Sequence, residues 1–258
     1  MIALACGLLG LLFGSFANVV IHRVPAGQSV STPRSACPKC GTFIAPRDNI
    51  PVVSWLVLRG RCRHCAEPIS PRYPLVELAM ALIFAAVGAR VGLDWALPGF
   101  LLFAWLLVVV ALIDAATRKI PNRLMYPLTP TLLVLMAGAA LLSGAPGRAV
   151  SALLGGIGGF VVLLILALIQ PKGMGMGDVK LAGFIGIGLG YLSYGLVVVG
   201  IFGGFLLGGV VGILLLVTKV RTRRDMIPFG PYLAAGGLLA LLVGEPVLDA
   251  YLRSLGVR

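Results

Sequence analysis

Long apolar stretches separated by short polar segments are the feature that most restricts how this chain can fold. A helix needs about 20 mainly apolar residues to cross the hydrocarbon core of a bilayer. The first apolar stretch has no basic region before it and is long enough to span, so we expect a retained helix rather than a cleaved signal. Eight stretches are expected to be transmembrane helices, at residues 2–21, 75–90, 96–113, 124–143, 150–169, 179–194, 196–217 and 232–248.

The overall composition favours the same architecture. Hydrophobic residues make up 59% and charged residues only 12% of the 258 positions, which is more apolar surface than a soluble domain of this size needs. The alternation of apolar and polar residues that is typical of membrane barrels is absent, which leaves helices as the way to satisfy the backbone in lipid. We therefore expect an all-α polytopic membrane protein.

The formal net charge of +12 is expected to record the orientation of the chain in the membrane rather than a nucleic-acid partner. If the N-terminus is outside, the inner segments are 22–74, 114–123, 170–180 and 218–231. These segments hold all but four of the 21 basic residues, the exceptions being Arg90, Arg148, Arg253 and Arg258. This asymmetry predicts that Asp114 and Asp178 lie at the cytoplasmic ends of their helices.

The largest hydrophilic stretch, residues 22–74, contains two CxxC pairs separated by 21 residues, at Cys37, Cys40, Cys62 and Cys65. Two such pairs can place four thiolates at the corners of a tetrahedron around Zn²⁺, and nearby basic residues favour thiolates over thiols. A closed four-cysteine shell leaves no position for water, so we expect a structural zinc site in a cytoplasmic loop domain. A redox-active CxxC or free thiols remain alternatives.

Asp114 and Asp178 are the acids that stand at inner helix ends among glycine, proline or small residues. Two carboxylates held close in a partly desolvated site share one proton, because both cannot ionise easily. The ionised carboxylate can take a proton from water while the protonated one polarises a carbonyl, which is peptide hydrolysis without a covalent intermediate. Gly175 and Gly177 would permit close approach of a substrate.

Two other interpretations of these acids stay open at this point. Each aspartate can cap its helix or pair with Arg118, Lys119 or Lys180. Alternatively, intramembrane acids serve as proton relays in transporters, here one with a zinc-stabilised loop.

Six ordered motifs resemble those of the bacterial type IV prepilin peptidases, which are membrane aspartic proteases of the GxGD type. They are the paired CxxC, "GSFANVVIHRVP" (14–25), "RYPLVE" (72–77), "IDAATRKIPNRL" (113–124), "GMGDVKL" (175–181) and "IPFGPYL" (227–233). The resemblance implies an intramembrane aspartic endopeptidase of the bacterial inner membrane that removes the leader of type IV prepilins and type II secretion pseudopilins. It implies that Asp114 and Asp178 are the catalytic pair.

Many members of that family also N-methylate the new amino terminus with S-adenosylmethionine, an activity associated with the cytoplasmic loop. The resemblance thus implies a first helix at 1–21, a methyltransferase-associated loop at 22–74 and a peptidase core at 75–258. No glycine-rich nucleotide fingerprint is visible, so the methyl donor rests on the resemblance alone. A peptidase without methyltransferase activity is the narrower alternative.

The sequence departs from the family pattern at three positions: Ala17 stands where leucine is common, His22 where tyrosine is frequent and Asn122 where aspartate often follows the proline. Asn122 excludes a third acid beside Asp114. Glu77 is expected either to pair with Arg72 or another loop cation, or to contact substrate or methyl donor.

Overall fold

A computed structural model describes residues 1–170, 174–219, 228–254 and 256. Over these residues the chain is helical, and its only β pairing consists of two isolated bridges. The basic residues Lys172, Arg221, Arg223, Arg224 and Arg258, and the first residue of the "IPFGPYL" motif, lie outside the described residues.

Nine α-helices occur in the described part of the chain. They are α1 (Ile2–Arg23), α2 (Val53–Val57), α3 (Arg72–Val91), α4 (Leu97–Thr117), α5 (Asn122–Leu142), α6 (Gly147–Ile169), α7 (Met176–Gly190), α8 (Tyr194–Val217) and α9 (Gly230–Ser254). A 3₁₀ turn forms at Pro46–Asp48. The expected all-α polytopic architecture is confirmed, and each of the eight apolar stretches forms a helix.

Seven of the helices found in the described ranges are long and apolar enough to cross a membrane, and α7 is not among them. At 15 residues it measures about 22 Å, which is short of a hydrocarbon core of about 30 Å. The helix ends at Gly190 because Ser193 caps the next helix, its Oγ accepting from the backbone N–H of Leu196 at 3.2 Å. Compared with the expected span at 179–194, α7 starts three residues earlier and ends four residues earlier.

The chain divides into two compact units, Met1–Gly92 and Leu93–Arg258. In the first unit α1 and α3 pack closely enough that a Cβ on Gly14 would lie 2.7 Å from the Cα of Glu77. The Asn18 side chain ties the two helices together by donating to the carbonyl of Tyr73 at 3.1 Å. The segment between the helices carries the four cysteines.

In the second unit α7 is enclosed by its neighbours, and all but three of its residues are buried. Backbone meets backbone along its contact with α6, where a Cβ on Gly186 would lie 2.1 Å from the carbonyl oxygen of Gly155. Close approach of this kind is available only to glycine, which explains the glycine-rich patterns in both helices. Neighbouring helices cover most of α7, so the helix does not need the length of a full span.

Candidate active site and metal centre

The four cysteines of the loop converge in the first unit. Their Sγ atoms all lie within 4.8 Å of one another, and those of Cys37 and Cys65 are 3.7 Å apart. No disulfide joins them. A tetrahedral zinc site with Zn–S distances of about 2.3 Å requires sulfur–sulfur distances of about 3.8 Å. The cluster therefore has the donors and the spacing to hold a metal ion.

The two CxxC turns have the same backbone structure, displaced by 25 residues. The N–H of Cys37 donates to Thr42 at 3.0 Å, and the N–H of Cys62 donates to Glu67 at 2.8 Å. Gly41 and Ala66 occupy equivalent left-handed positions, with φ of 68° and 56°. The bridges Ala36–Phe43 and Arg61–Pro68 close both turns in the same way. The two turns thus hold their cysteine pairs with the same backbone conformation, and they are related by a pseudo-twofold axis through the cluster.

Little apart from the cluster and surface pairs holds this loop. Between residues 25 and 71 only Ser54 and Gly60 are buried, so the loop has no apolar core of its own. Lys39 of the first turn pairs with Glu67 of the second at 2.5 Å. The Arg63 guanidinium donates to both oxygens of the Asp48 carboxylate, from Nη2 to Oδ1 at 2.6 Å and from Nε to Oδ2 at 2.9 Å. These hydrogen bonds hold the pKa of Asp48 below its usual value. A metal held there would have a structural role, since a segment with so little buried surface cannot fold on hydrophobic burial alone.

One of the cysteines is already biased towards the form that binds metal. Hydrogen bonds with the side chain and backbone of Thr42 lower the pKa of the Cys40 thiol to about 6. The thiolate is the metal ligand, so the environment of Cys40 favours coordination. Although a hydrogen bond with the Glu67 backbone lowers the pKa of Cys65, burial and the neighbouring thiols raise it to about 12, so this bias belongs to Cys40 and not to the whole cluster.

Asp114 is buried near the C-terminal end of α4 and reaches the start of α9. Its Oδ2 accepts a hydrogen bond from the backbone N–H of Gly230 at 3.0 Å. A Cβ on Gly230 would lie 2.7 Å from that same oxygen, so only glycine fits beside the carboxylate. The "IPFGPYL" motif thereby supplies a backbone donor to the first acid.

Asp178 is buried at the third position of α7. Its Oδ2 accepts from the backbone N–H of Gly175 at 3.2 Å, which closes the first turn of the helix. Gly177 faces the segment that follows Asp114, because a Cβ there would lie 2.8 Å from the Cβ of Ile120. The two aspartate motifs therefore pack against each other.

The alternative of simple ion pairing for these acids is not supported. In the described part of the chain neither aspartate forms a salt bridge with Arg118, Lys119 or Lys180. Lys180 instead donates to Asn122 and Tyr126. Asp178 does cap its own helix, but capping does not explain why both carboxylates are buried in motifs that pack against each other.

Glu77 is buried on α3 and binds the loop backbone instead of Arg72. Its Oε2 accepts from the N–H of Val52 at 2.7 Å. Val52 has φ 62° and ψ −51°, the centre of a strained γ-turn that is rare for a branched side chain. The buried carboxylate thus meets a strained backbone N–H at the start of α2.

Two of these contacts were not anticipated by sequence reasoning. The Gly230 donor to Asp114 and the Val52 donor to Glu77 join residues far apart in the chain. The Gly-Pro pair in "IPFGPYL" is the one signal that could have pointed to a special backbone position.

Comparison with known proteins identifies the family of this chain. Residues 8–91 match the model of the bacterial peptidase A24 N-terminal domain, and residues 101–215 match that of the type IV leader peptidase family. A protein named prepilin leader peptidase/N-methyltransferase in Aeromonas hydrophila is 36% identical over 95% of this chain and 92% of its own length. The chain belongs to the type IV leader peptidase family.

Relatives in distant bacteria carry the same name. The protein of Pseudomonas aeruginosa is 36% identical over 97% of this chain, and that of Bacillus subtilis is 35% identical over 95% of it. They are covered over 93% and 96% of their own lengths. No solved structure matches the chain. The resemblance drawn from the six motifs is confirmed, and so is the membrane-protein class of this leader peptidase.

Proposed function

We propose that this leader peptidase cleaves the leader from type IV prepilins and type II secretion pseudopilins and then N-methylates the new amino terminus with S-adenosylmethionine. The observation that carries the proposal is the meeting of the two aspartate motifs, each with a buried carboxylate, within the region matched by the leader peptidase family. The names of the relatives supply the two activities.

In the peptidase reaction Asp114 and Asp178 act as one acid–base pair. Each carboxylate is anchored through Oδ2 by one backbone N–H, so Oδ1 is the oxygen that turns to water and the scissile carbonyl. The ionised member takes a proton from the attacking water while the protonated member donates to the carbonyl oxygen. The carboxyl that took the water proton then gives it to the leaving amine as the C–N bond breaks, and the other carboxylate regains its proton from the diol hydroxyl, which restores the pair.

Burial of the pair serves this chemistry. Low local polarity keeps one proton shared between the two carboxylates, because ionising both would place two like charges in a desolvated site. Gly230 brings its backbone to the Asp114 carboxylate where a side chain would collide with it, and Gly177 lets Ile120 approach the start of α7. We place this site at the cytoplasmic face of the bacterial inner membrane, with the N-terminus outside, on the strength of the basic residues in the expected inner segments.

The methyltransferase activity is assigned to the first unit. The cysteine cluster is proposed to hold Zn²⁺ through Cys37, Cys40, Cys62 and Cys65. A bound metal ion would be ligated by all four sulfurs and would fix the two turns relative to each other. The remaining loop, with Glu77 holding the Val52 turn, then forms a fixed surface for the methyl donor and the new amino terminus.

The experiment uses purified protein in liposomes, a prepilin with its leader, and S-adenosylmethionine. Mass spectrometry of the product is expected to show a shortened chain with one added methyl group at its N-terminus. Without S-adenosylmethionine the same shortened chain is expected to lack the methyl. A shortened product that never gains a methyl would reject the second activity, and an intact prepilin under conditions where a relative cuts it would reject both.

A further inference from the structure

A groove between α5, α6 and α7 is used by neither proposed activity. It has a volume of about 390 Å³. Its walls are mostly apolar, with Pro130, Leu153, Ile157 and Ile187 among the lining residues. Leu153 and Ile157 are about half exposed, so the groove is open at the outer side of α6. One end is polar and is formed by Tyr126 and Lys180.

The ammonium of Lys180 has neutral partners among the described residues. Its Nζ donates to Asn122 Oδ1 at 2.7 Å and to the Tyr126 hydroxyl at 3.1 Å, and it lies 4.7 Å from the centroid of the Tyr126 ring. A strongly hydrated point charge held among neutral groups at the mouth of an apolar groove favours an anion as its further partner. The groove therefore suits a ligand with a long apolar part and an anionic end.

The apolar walls favour an acyl chain over a peptide. From Lys180 to Ile187 the groove follows α7 for about 10 Å. An extended peptide would fit, but its N–H and C=O groups would have almost no partners along apolar walls inside a membrane. An acyl chain has no such groups.

We propose that this groove binds one acyl chain of an anionic phospholipid, whose phosphate sits on Lys180 and the Tyr126 hydroxyl. Basic pockets between transmembrane helices bind anionic headgroups in this manner. Lys180 stands two residues after Asp178 on α7, so the bound headgroup lies at the same end of the helix as the catalytic pair. The site goes beyond the proposed activities and does not depend on them.

The test measures lipid binding to the purified, delipidated protein by native mass spectrometry. The probes are phosphatidylglycerol and phosphatidylcholine with identical acyl chains. The wild type is expected to bind phosphatidylglycerol about fivefold more tightly, since one basic group near the surface contributes about that factor. K180M is expected to remove this preference and K180R to keep it.

Two further variants make the result specific to the groove. K219M removes the same charge from the end of α8, outside the groove, and is expected to keep the preference. L153W fills the apolar end and is expected to weaken binding of both lipids while Lys180 is intact. A preference unchanged in K180M, or lost equally in K219M, would overturn the proposal.

A different occupant would also be visible. If K180M leaves lipid binding intact but raises the KM for a prepilin, the groove takes substrate and the lipid assignment is wrong. This outcome is distinguishable from failure of the proposed peptidase activity, because it requires that cleavage be observed.

Discussion

The cysteine loop and α7 hold their functional side chains in place by different means. The loop between residues 25 and 71 buries only Ser54 and Gly60 and gathers its two turns around four sulfurs. Helix α7 buries all but three of its residues and holds Asp178 through shape, with glycine backbone against glycine backbone. The loop should therefore be sensitive to the loss of a ligand and insensitive to small steric changes, while α7 should show the reverse.

The largest effect is expected from removing the metal. C62S or a strong chelator should unfold the loop, because structural zinc contributes about 10–16 kcal/mol of apparent binding free energy in small zinc domains. Limited proteolysis should then cut between residues 25 and 71, while circular dichroism retains the signal of the long helices. C6A changes a buried cysteine of α1 outside the cluster and should keep one zinc per chain by elemental analysis. A loop that stays protected after chelation would contradict a metal-held structure.

The second effect concerns the two acids and leaves the loop untouched. D114N and D178N should each lower kcat/KM for leader cleavage by about 10²–10⁴-fold, because each removes one half of the acid–base pair. The amide oxygen can still accept from Gly230 or Gly175, so the fold should persist. Methylation of a substrate supplied without its leader should continue at the normal rate.

The control for these variants is D94N, which changes an acid of the same unit that accepts from the N–H of Ala96 at 2.8 Å. It should cleave normally. Cleavage by D114N or D178N at the wild-type rate would show that the pair is not the catalytic centre.

A smaller effect separates two glycines of the same helix. A Cβ on Gly155 would lie 2.5 Å from the carbonyl oxygen of Gly186, whereas one on Gly158 would meet nothing within 4 Å. G155A should therefore cost about 1–3 kcal/mol through overpacking. G158A should gain about 0.5–1 kcal/mol, because alanine is the better helix former. Thermal unfolding in detergent compares the two, and equal shifts in the same direction would mean that the α6–α7 contact is not tight.

The smallest effect tests the pseudo-twofold symmetry of the loop. Ala66 occupies the left-handed position that Gly41 occupies in the other turn. A66G should stabilise the zinc-loaded loop by about 1–2 kcal/mol and G41A should destabilise it by a similar amount, since left-handed backbone costs L-residues about that much more than glycine. Competition with a chelator measures both as opposite changes in zinc affinity. Changes of the same sign would mean that the turns are not equivalent.

The sequence predicted best what depends on local pattern. Apolar length predicted the helices, and the paired CxxC spacing predicted a four-sulfur cluster whose atoms the structure brings within 4.8 Å of one another. The expected stretch at 179–194 is close to α7 in length, but the enclosure of this helix by protein was not predicted, because composition alone cannot tell such a helix from one that crosses lipid. Its end depends on Ser193 capping α8, a weak local signal inside an apolar run.

The candidate site depended on contacts that join distant parts of the chain. Asp114 and Asp178 were singled out by their positions at helix ends, but nothing in their own segments indicates that Gly230 donates to one of them. Likewise, Glu77 is near many loop cations in sequence, yet it binds the N–H of Val52 in a strained turn. Such pairings are set by how helices pack, which pattern and propensity do not contain. The catalytic role of the pair and the identity of the metal stay predictions until the experiments above are done.

The shortness of α7 also bears on hydrophobic mismatch. A bilayer that is too thick or too thin acts on a protein through helices that lipid surrounds, which tilt or shift to match it. Helix α7 is covered mostly by other helices and is about 8 Å shorter than the hydrocarbon core. Its depth is therefore set by its neighbours and not by the membrane. Asp178 should keep its place beside Asp114 in membranes of different thickness, even where the long helices tilt.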